Sequence, residues 1–259
     1  MKTLYTRLLK KALEHNLLQK TSLILVVGGG PNDSKTLQQL GFKNVIISNL
    51  VPHANYTNYY PYKWENADLN NLQYQSDSFD FVIVSASLHH LYSPHRGLIE
   101  MLRVSKNAIM IIESSDNLLS KISRKLGLVP NYEIDAILGD GTGGVENSSI
   151  PNFIYRWTRD EVKKAVNSFL PHTQNKFYFY HHYQFPIARL KRSKNLFVKL
   201  ALPLVYLTSF LLKLFFPRQA NEFGILIEKG KILHPWLKGT RDNPLLNLPY
   251  LRKHYKTNL

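Results

Sequence analysis

Short apolar runs recur through the first half of the chain, at residues 22–27, 44–48, 81–85 and 108–113. Each is rich in Val and Ile, and the segments between them are long enough for crossover helices. This alternation predicts a parallel α/β sheet. A helix is predicted over residues 33–40, with Asn32 or Asp33 as its N-cap and Gly41 as a left-handed stop. Another is predicted over 94–104, opening on Pro94. Ahead of the first strand, Leu4, Leu8, Leu9, Ala12, Leu13 and Leu17 fall near helical spacing, so residues 1–20 read as an amphipathic helix packed on the core. Lys2, Arg7, Lys10, Lys11 and Glu14 interrupt its leucines, and no secretion signal is expected there.

After Glu113 the texture changes. Residues 114–158 are polar and glycine-rich and read as an insertion over one end of the sheet, with "GDGTGG" as a flexible loop. Helical patterning returns at 159–169, and strand character at 175–185 and 222–230. Between these strands lies residues 196–216, the most apolar stretch. A membrane span needs about 20 apolar residues, but Lys199, Pro203 and Lys213 interrupt this one, and spanning would part the last strand from its sheet. Arg189, Lys191, Arg192, Lys194 and Arg218 flank it, which favours a helix lying in a membrane interface. A buried helix or a homodimer interface is the alternative. The expected organisation is an N-terminal helix (1–20), a main domain (21–230) carrying the insertions 114–158 and 187–217, and a basic tail (231–259).

Charge and composition narrow the partners. Lys and Arg number 33 against 18 Asp and Glu, a net charge of +15 over 259 residues, so anionic partners are expected: a membrane surface, a phosphorylated substrate or nucleic acid. The basic residues cluster towards the C-terminus among apolar segments without an RNA-binding motif, which argues against nucleic acid. With no cysteine, disulfides and thiolate metal sites are excluded.

The stretch "LVVGGGPND" breaks the first apolar run into a glycine turn. Glycines after a first strand let backbone amides approach a ligand at a helix N-terminus. A P-loop is excluded by the missing Gly-Lys-Ser/Thr ending, and a dinucleotide fingerprint by Asp33 at the last glycine position. Asn49 ends the second strand, where nucleoside-binding folds place a ribose-gripping residue. The passage over residues 65–113 runs through an acid, a turn, Ser-Phe-Asp, a strand, Leu-His-His-Leu, Pro, Glu-x-x-Arg-Val and a second strand. This plan resembles the class I S-adenosylmethionine-dependent methyltransferases, specifically the type 11 group.

The resemblance implies a Rossmann-like α/β fold: a seven-stranded, mostly parallel sheet with helices on both faces and an antiparallel last strand, extended here by a lid and a hydrophobic helical insertion. It implies S-adenosyl-L-methionine as cofactor, with Gly28, Gly29 and Gly30 against its methionine part, Asn49 facing the ribose, Asp68 and Leu69 by the adenine, and Ser85 and Ala86 flanking the methionyl group. Asp80 is expected to be structural. The chain departs from the family at Val26, Asn32 and Asn49, where an acid, a glycine and an acid are usual. Asp33 is a partial substitute for the first. His89 and His90 follow the fourth strand and are the candidate catalytic bases; Tyr155, Arg156 and Trp157 are candidate acceptor contacts. No metal is expected, since His181 and His182, adjacent on a strand, point to opposite faces. The expected function is O-methylation of a small-molecule, glycan or lipid-linked acceptor, in the cytoplasm and peripheral on the inner face of the membrane. A weakly active binding or scaffold protein and an RNA methyltransferase are the alternatives.

Overall fold

The β-branched runs form the middle of one sheet. A computed structural model describes residues 3–50, 59–138, 141–185, 191 and 196–255. Its strands are β1 (Leu23–Val27), β2 (Asn44–Asn49), β3 (Lys63–Asn66), β4 (Phe79–Ser85), β5 (Ser105–Ser114), β6 (Lys176–His182) and β7 (Glu222–Glu228). They are ordered β3-β2-β1-β4-β5-β7-β6. All pairs are parallel except those of β7, which runs antiparallel to both β5 and β6. This is the expected Rossmann-like sheet. The short polar strand β3 carries no hydrophobic signal and was not among the predicted runs; it lies at the sheet edge beside β2.

The sheet is buried on both faces, as a parallel sheet with crossover helices must be. Alternate residues divide between two cores. Leu25, Val27, Val82, Val84, Ile109 and Ile111 pack under α3 (Pro94–Val104) and α5 (Arg159–Phe169). Ile24, Val26, Ile83 and Met110 pack under α1 (Leu4–Glu14) and α2 (Pro31–Gln39). Helix α1 is docked closely, since a Cβ on Gly224 would lie 2.3 Å from Leu8 Cδ1. Helix α2 begins two residues before the predicted start. Pro31 suits a first helical turn, so Gly30 is the N-cap and Asp33 falls at N3, accepting from Gly30 N–H at 2.8 Å. Gly41 ends the helix at φ +77°, as expected.

The insertion contains α4 (Leu118–Lys125) and a bridge between Tyr132 and Phe153. Helix α6 (Leu196–Phe215) realises the apolar stretch. Leu204, Phe210, Leu214 and Phe215 are 58–65% exposed, so this part of the helix is not buried core. No described helix is long and apolar enough to cross a membrane. Residues 186–190 and 192–195, which hold most of the flanking basic residues, lie outside the described residues. The basic tail has structure: a hairpin of β8 (Leu237–Gly239) and β9 (Pro244–Leu246) precedes α7 (Leu248–His254).

One buried cation ties the base of the sheet. Lys229, just past β7 and only 3% exposed, donates to Asp77 at 2.6 Å, to Leu102 O at 2.9 Å and to Ser105 O. Lys229→Ala leaves two carbonyls and a carboxylate without this donor, so a loss of about 2–4 kcal/mol is expected in urea unfolding. A loss below about 1 kcal/mol would show that water replaces the ammonium.

Candidate active site

The cleft forms where β1, β2 and β4 end. Gly28 turns the chain at φ +64°, and Ala86, directly after β4, is held at φ +53°, a conformation disfavoured for a residue with a Cβ. Ser87 joins the two turns, its hydroxyl lying 3.3 Å from Gly28 O and 3.1 Å from Ser85 O. The cleft holds about 760 Å³ of empty space. Leu50, Ala67, Leu69 and Leu91 make an apolar wall; Gly28, Ala86 and Ser87 bring backbone to another side. Asn49 stands between them, its Oδ1 accepting from Leu50 N–H at 2.8 Å.

Of the predicted cofactor residues, Gly28, Asn49, Leu69 and Ala86 line this cleft, and His90 joins them. The others are placed differently. Gly29 is a packing glycine, since a Cβ there would lie 2.8 Å from both Ile47 Cγ2 and Val26 Cγ1. Gly30 caps α2. Asp68 turns back on its own loop, accepting from Asn70 N–H at 2.8 Å and Asn70 Nδ2 at 3.1 Å. Ser85 contributes its carbonyl to Ser87. Asp33, bound to its own helix start, is not a substitute for the missing acid, and Val26 is core. Asp80 is structural as expected, accepting from Leu23 N–H at 2.8 Å.

The "GDGTGG" run ends in a packed segment. Gly144 N–H donates to Ser148 O at 2.9 Å and Val145 N–H to Ile150 O at 2.8 Å, while a Cβ on Gly144 would fall 2.0 Å from Ile150 O. Gly143, Gly144, Glu146 and Asn147 thereby close one side of the cleft. Glu146 brings a carboxylate to this wall and accepts from Asn70 Nδ2 at 2.9 Å. The sequence places Glu146 in the insertion expected to cover the acceptor, but it does not single out Gly143, Gly144 or Asn147 beyond a flexible glycine loop.

A second cavity of about 670 Å³ shares Ala86 and His90 with the first and adds His89, Glu113, Glu133, Gln184 and Asn221. Glu113 is its fixed point. Its fully buried carboxylate accepts from Ser87 N–H at 3.0 Å, from Leu88 N–H at 2.8 Å and from His89 Nδ1 at 2.7 Å. Burial opposes charge on His89, but Glu113 and then Glu133 outweigh it and raise its pKa to about 10. The two carboxylates thus favour the protonated form of His89, which weighs against the base expected of it. His90 has its pKa lowered, by burial first and by the charge of His89 next. Glu133, hydrogen-bonded to His89, has its pKa lowered to about 2.

Tyr155 and Trp157 do not reach either cavity. Trp157 is 1% exposed and packs at 5.0 Å from Tyr155 and 4.7 Å from His95, and the Tyr155 hydroxyl bonds Glu161. Arg156 binds Pro130 O at 2.8 Å and edges a third, largely apolar cavity with Leu119, Leu128 and Leu212. Tyr155 and Trp157 thus anchor the insertion, while Arg156 borders a cavity.

Residues 29–112 match a family described as a methyltransferase domain. Over these residues the chain is similar to that domain, within a sheet of the Rossmann-like order. Its cofactor is S-adenosylmethionine, and the chain is an enzyme of the S-adenosylmethionine-dependent methyltransferases. Solved structures share the fold at low identity. A candidate methyltransferase from Bacillus halodurans is 11% identical with a TM-score of 0.53, over 86% of this chain and 98% of that one. The YcgJ protein from Bacillus subtilis is 12% identical with a TM-score of 0.52, over 86% of this chain and 96% of that one. A candidate methyltransferase from Haloferax volcanii, in complex with the Trm112 methyltransferase activator, is 11% identical with a TM-score of 0.52, over 87% and 94%. No curated protein matches the chain in sequence.

The methyltransferase cleft fits this cofactor chemically. Its apolar wall suits a purine, the Asn49 amide can meet ribose hydroxyls, and the bare backbone at Gly28 and Ala86 leaves room for an amino-acid moiety.

Proposed function

We propose that this methyltransferase methylates a hydroxyl of a glycan or lipid-linked acceptor at an anionic membrane surface. The observation that carries the reading is the succession of three cavities. The donor cleft meets the polar cavity at Ala86 and His90, and the polar cavity meets the apolar one at Ser114, Gln184 and Asn221. That last cavity lies between α4 and α6, beside exposed Leu118, Ile122, Leu128, Leu211 and Leu214. An acceptor with a polar head and an apolar body suits such a path.

When bound, S-adenosylmethionine supplies a methyl group on a sulfonium, which an acceptor oxygen displaces in line. The chain's part is alignment. The turns at Gly28 and Ala86 hold the donor side, and His89, His90 and Glu133 face the acceptor hydroxyl from the polar cavity. Arg218 and Lys213, exposed at the end of α6, suit lipid phosphates beside apolar side chains that enter the acyl boundary.

Two measurements test this reading. Calorimetry is expected to show S-adenosylhomocysteine binding, and no binding at about millimolar ligand would overturn the enzyme assignment. In liposome flotation the protein should rise with anionic vesicles and far less with neutral ones, and F210E/L214E should abolish the difference. Equal failure to float with both vesicle types would remove the membrane placement.

A further inference from the structure

We propose that His89, His90 and Glu133 form a binding site for a divalent transition cation of the Zn²⁺ type, at the wall shared by the donor cleft and the acceptor cavity. Nothing in the sequence reading anticipates it, because no metal was expected and Glu133 belongs to the insertion. His89 Nε2 and His90 Nε2 each lie 3.5 Å from Glu133 Oε2. All three ligand atoms fall within 4.8 Å of one another. With metal–ligand bonds of about 2.0–2.2 Å, the edges of a tetrahedron are about 3.3–3.6 Å long. Two edges already have that length, and the third is at most 4.8 Å.

The surroundings are those of a ligand set held in place. A metal-binding histidine commonly gives its other ring N–H to a carboxylate, which sets its tautomer and aims the free nitrogen. His89 does this: Nδ1 meets buried Glu113 at 2.7 Å, and Nε2 faces the cavity. Glu113 is itself fixed by the Ser87 and Leu88 amides. Glu133 is held twice by fully buried Asn152, whose Nδ2 donates to Oε2 at 3.2 Å and whose carbonyl accepts from Glu133 N–H at 3.0 Å. By contrast the His182–Glu222 pair at 2.8 Å has no third ligand among the described residues.

Binding displaces the Nε2 proton of His89 to solvent while Nδ1–H stays on Glu113, and the resulting set of two neutral imidazoles and one carboxylate suits borderline divalent ions better than Mg²⁺ or Ca²⁺, which prefer oxygen. Three protein ligands leave a tetrahedral position open towards the cavity. A cation there would hold the acceptor's oxygen beside Ala86 and favour loss of its proton. This catalytic meaning rests on the proposed acceptor cavity; cation binding does not.

The experiment separates the two. The full-length protein, stripped with a chelator and free of donor and acceptor, is titrated with Zn²⁺ by calorimetry and with Co²⁺ by visible absorption. One equivalent is expected, with the d–d bands of a tetrahedral Co²⁺ site. Glu133→Gln and His90→Ala, both at partly exposed positions, should each weaken binding at least about 10–100-fold while leaving the fold intact by circular dichroism. His182→Ala should leave it unchanged. Absence of saturable binding, or binding that neither substitution alters, overturns the site. Binding that survives these tests while chelation leaves methyl transfer unchanged keeps the site and overturns its role in the reaction.

Discussion

Glu113→Ala is expected to lower the unfolding free energy by about 3–5 kcal/mol, the usual cost of leaving a buried charge without its partner. In a chain of this size that corresponds to a fall in Tm on the order of 10 °C. The carboxylate has no exposure and three donors: Ser87 N–H, Leu88 N–H and His89 Nδ1. Its removal strands two backbone amides in the turn after β4 and takes the principal counter-charge from His89. Glu133 cannot take its place, because it meets the other nitrogen of that ring, Nε2, at 3.5 Å. Glu113→Gln keeps an acceptor for the amides but turns an NH₂ or an uncharged oxygen towards His89, so roughly half the loss is expected. Thermal and urea unfolding of both variants check this order. An alanine variant as stable as the parent would mean that the turn carries itself and that Glu113 serves only to aim His89.

How far the fold and site were legible follows from where each signal resides. The β-branched runs at β1, β2, β4 and β5 are buried on both faces, so their hydrophobicity is continuous and visible in the sequence. The edge strand β3, "KWEN", is held by backbone pairing to β2 and shows no such run. At the site, residues whose role lies in the backbone, Gly28 and Ala86, could be placed by chain position alone. Residue types whose role depends on side-chain direction could not. Asp68 bends to Asn70, Trp157 turns into the core, and Asp33 returns to Gly30. Glu133 and the Gly143–Asn147 wall lie more than forty residues beyond His90 and reach the site only through the folding of the insertion. No local pattern encodes that approach. Lys229 was equally unreadable, since one more lysine in a basic chain attracts no notice until its burial is known.

The second large effect is expected at the glycine turn. Gly28→Val should weaken S-adenosylhomocysteine binding by about 100-fold, the scale of loss that follows an ångström-sized misplacement in an aligned site. Two physical costs coincide there. At φ +64° any L side chain carries a left-handed penalty of about 1–2 kcal/mol. A Cβ would also sit 2.5 Å from Ser87 Oγ and 2.6 Å from Ser87 Cβ, too close for either residue to stay in place. Ser87 cannot simply swing aside, because its amide is bound to Glu113 and its own Cβ is part of the clash. The strain therefore moves the two turns that bring backbone to the cleft. Gly41 supplies the control. It shares the left-handed backbone at φ +77°, yet a Cβ there meets nothing within 4 Å. Gly41→Ala should thus cost only about 1–2 kcal/mol of stability and leave ligand affinity unchanged. Calorimetry and urea unfolding on the two variants separate backbone strain from cleft geometry. Equal affinity in both would mean that Gly28 is retained for its turn alone and that the ligand does not approach it.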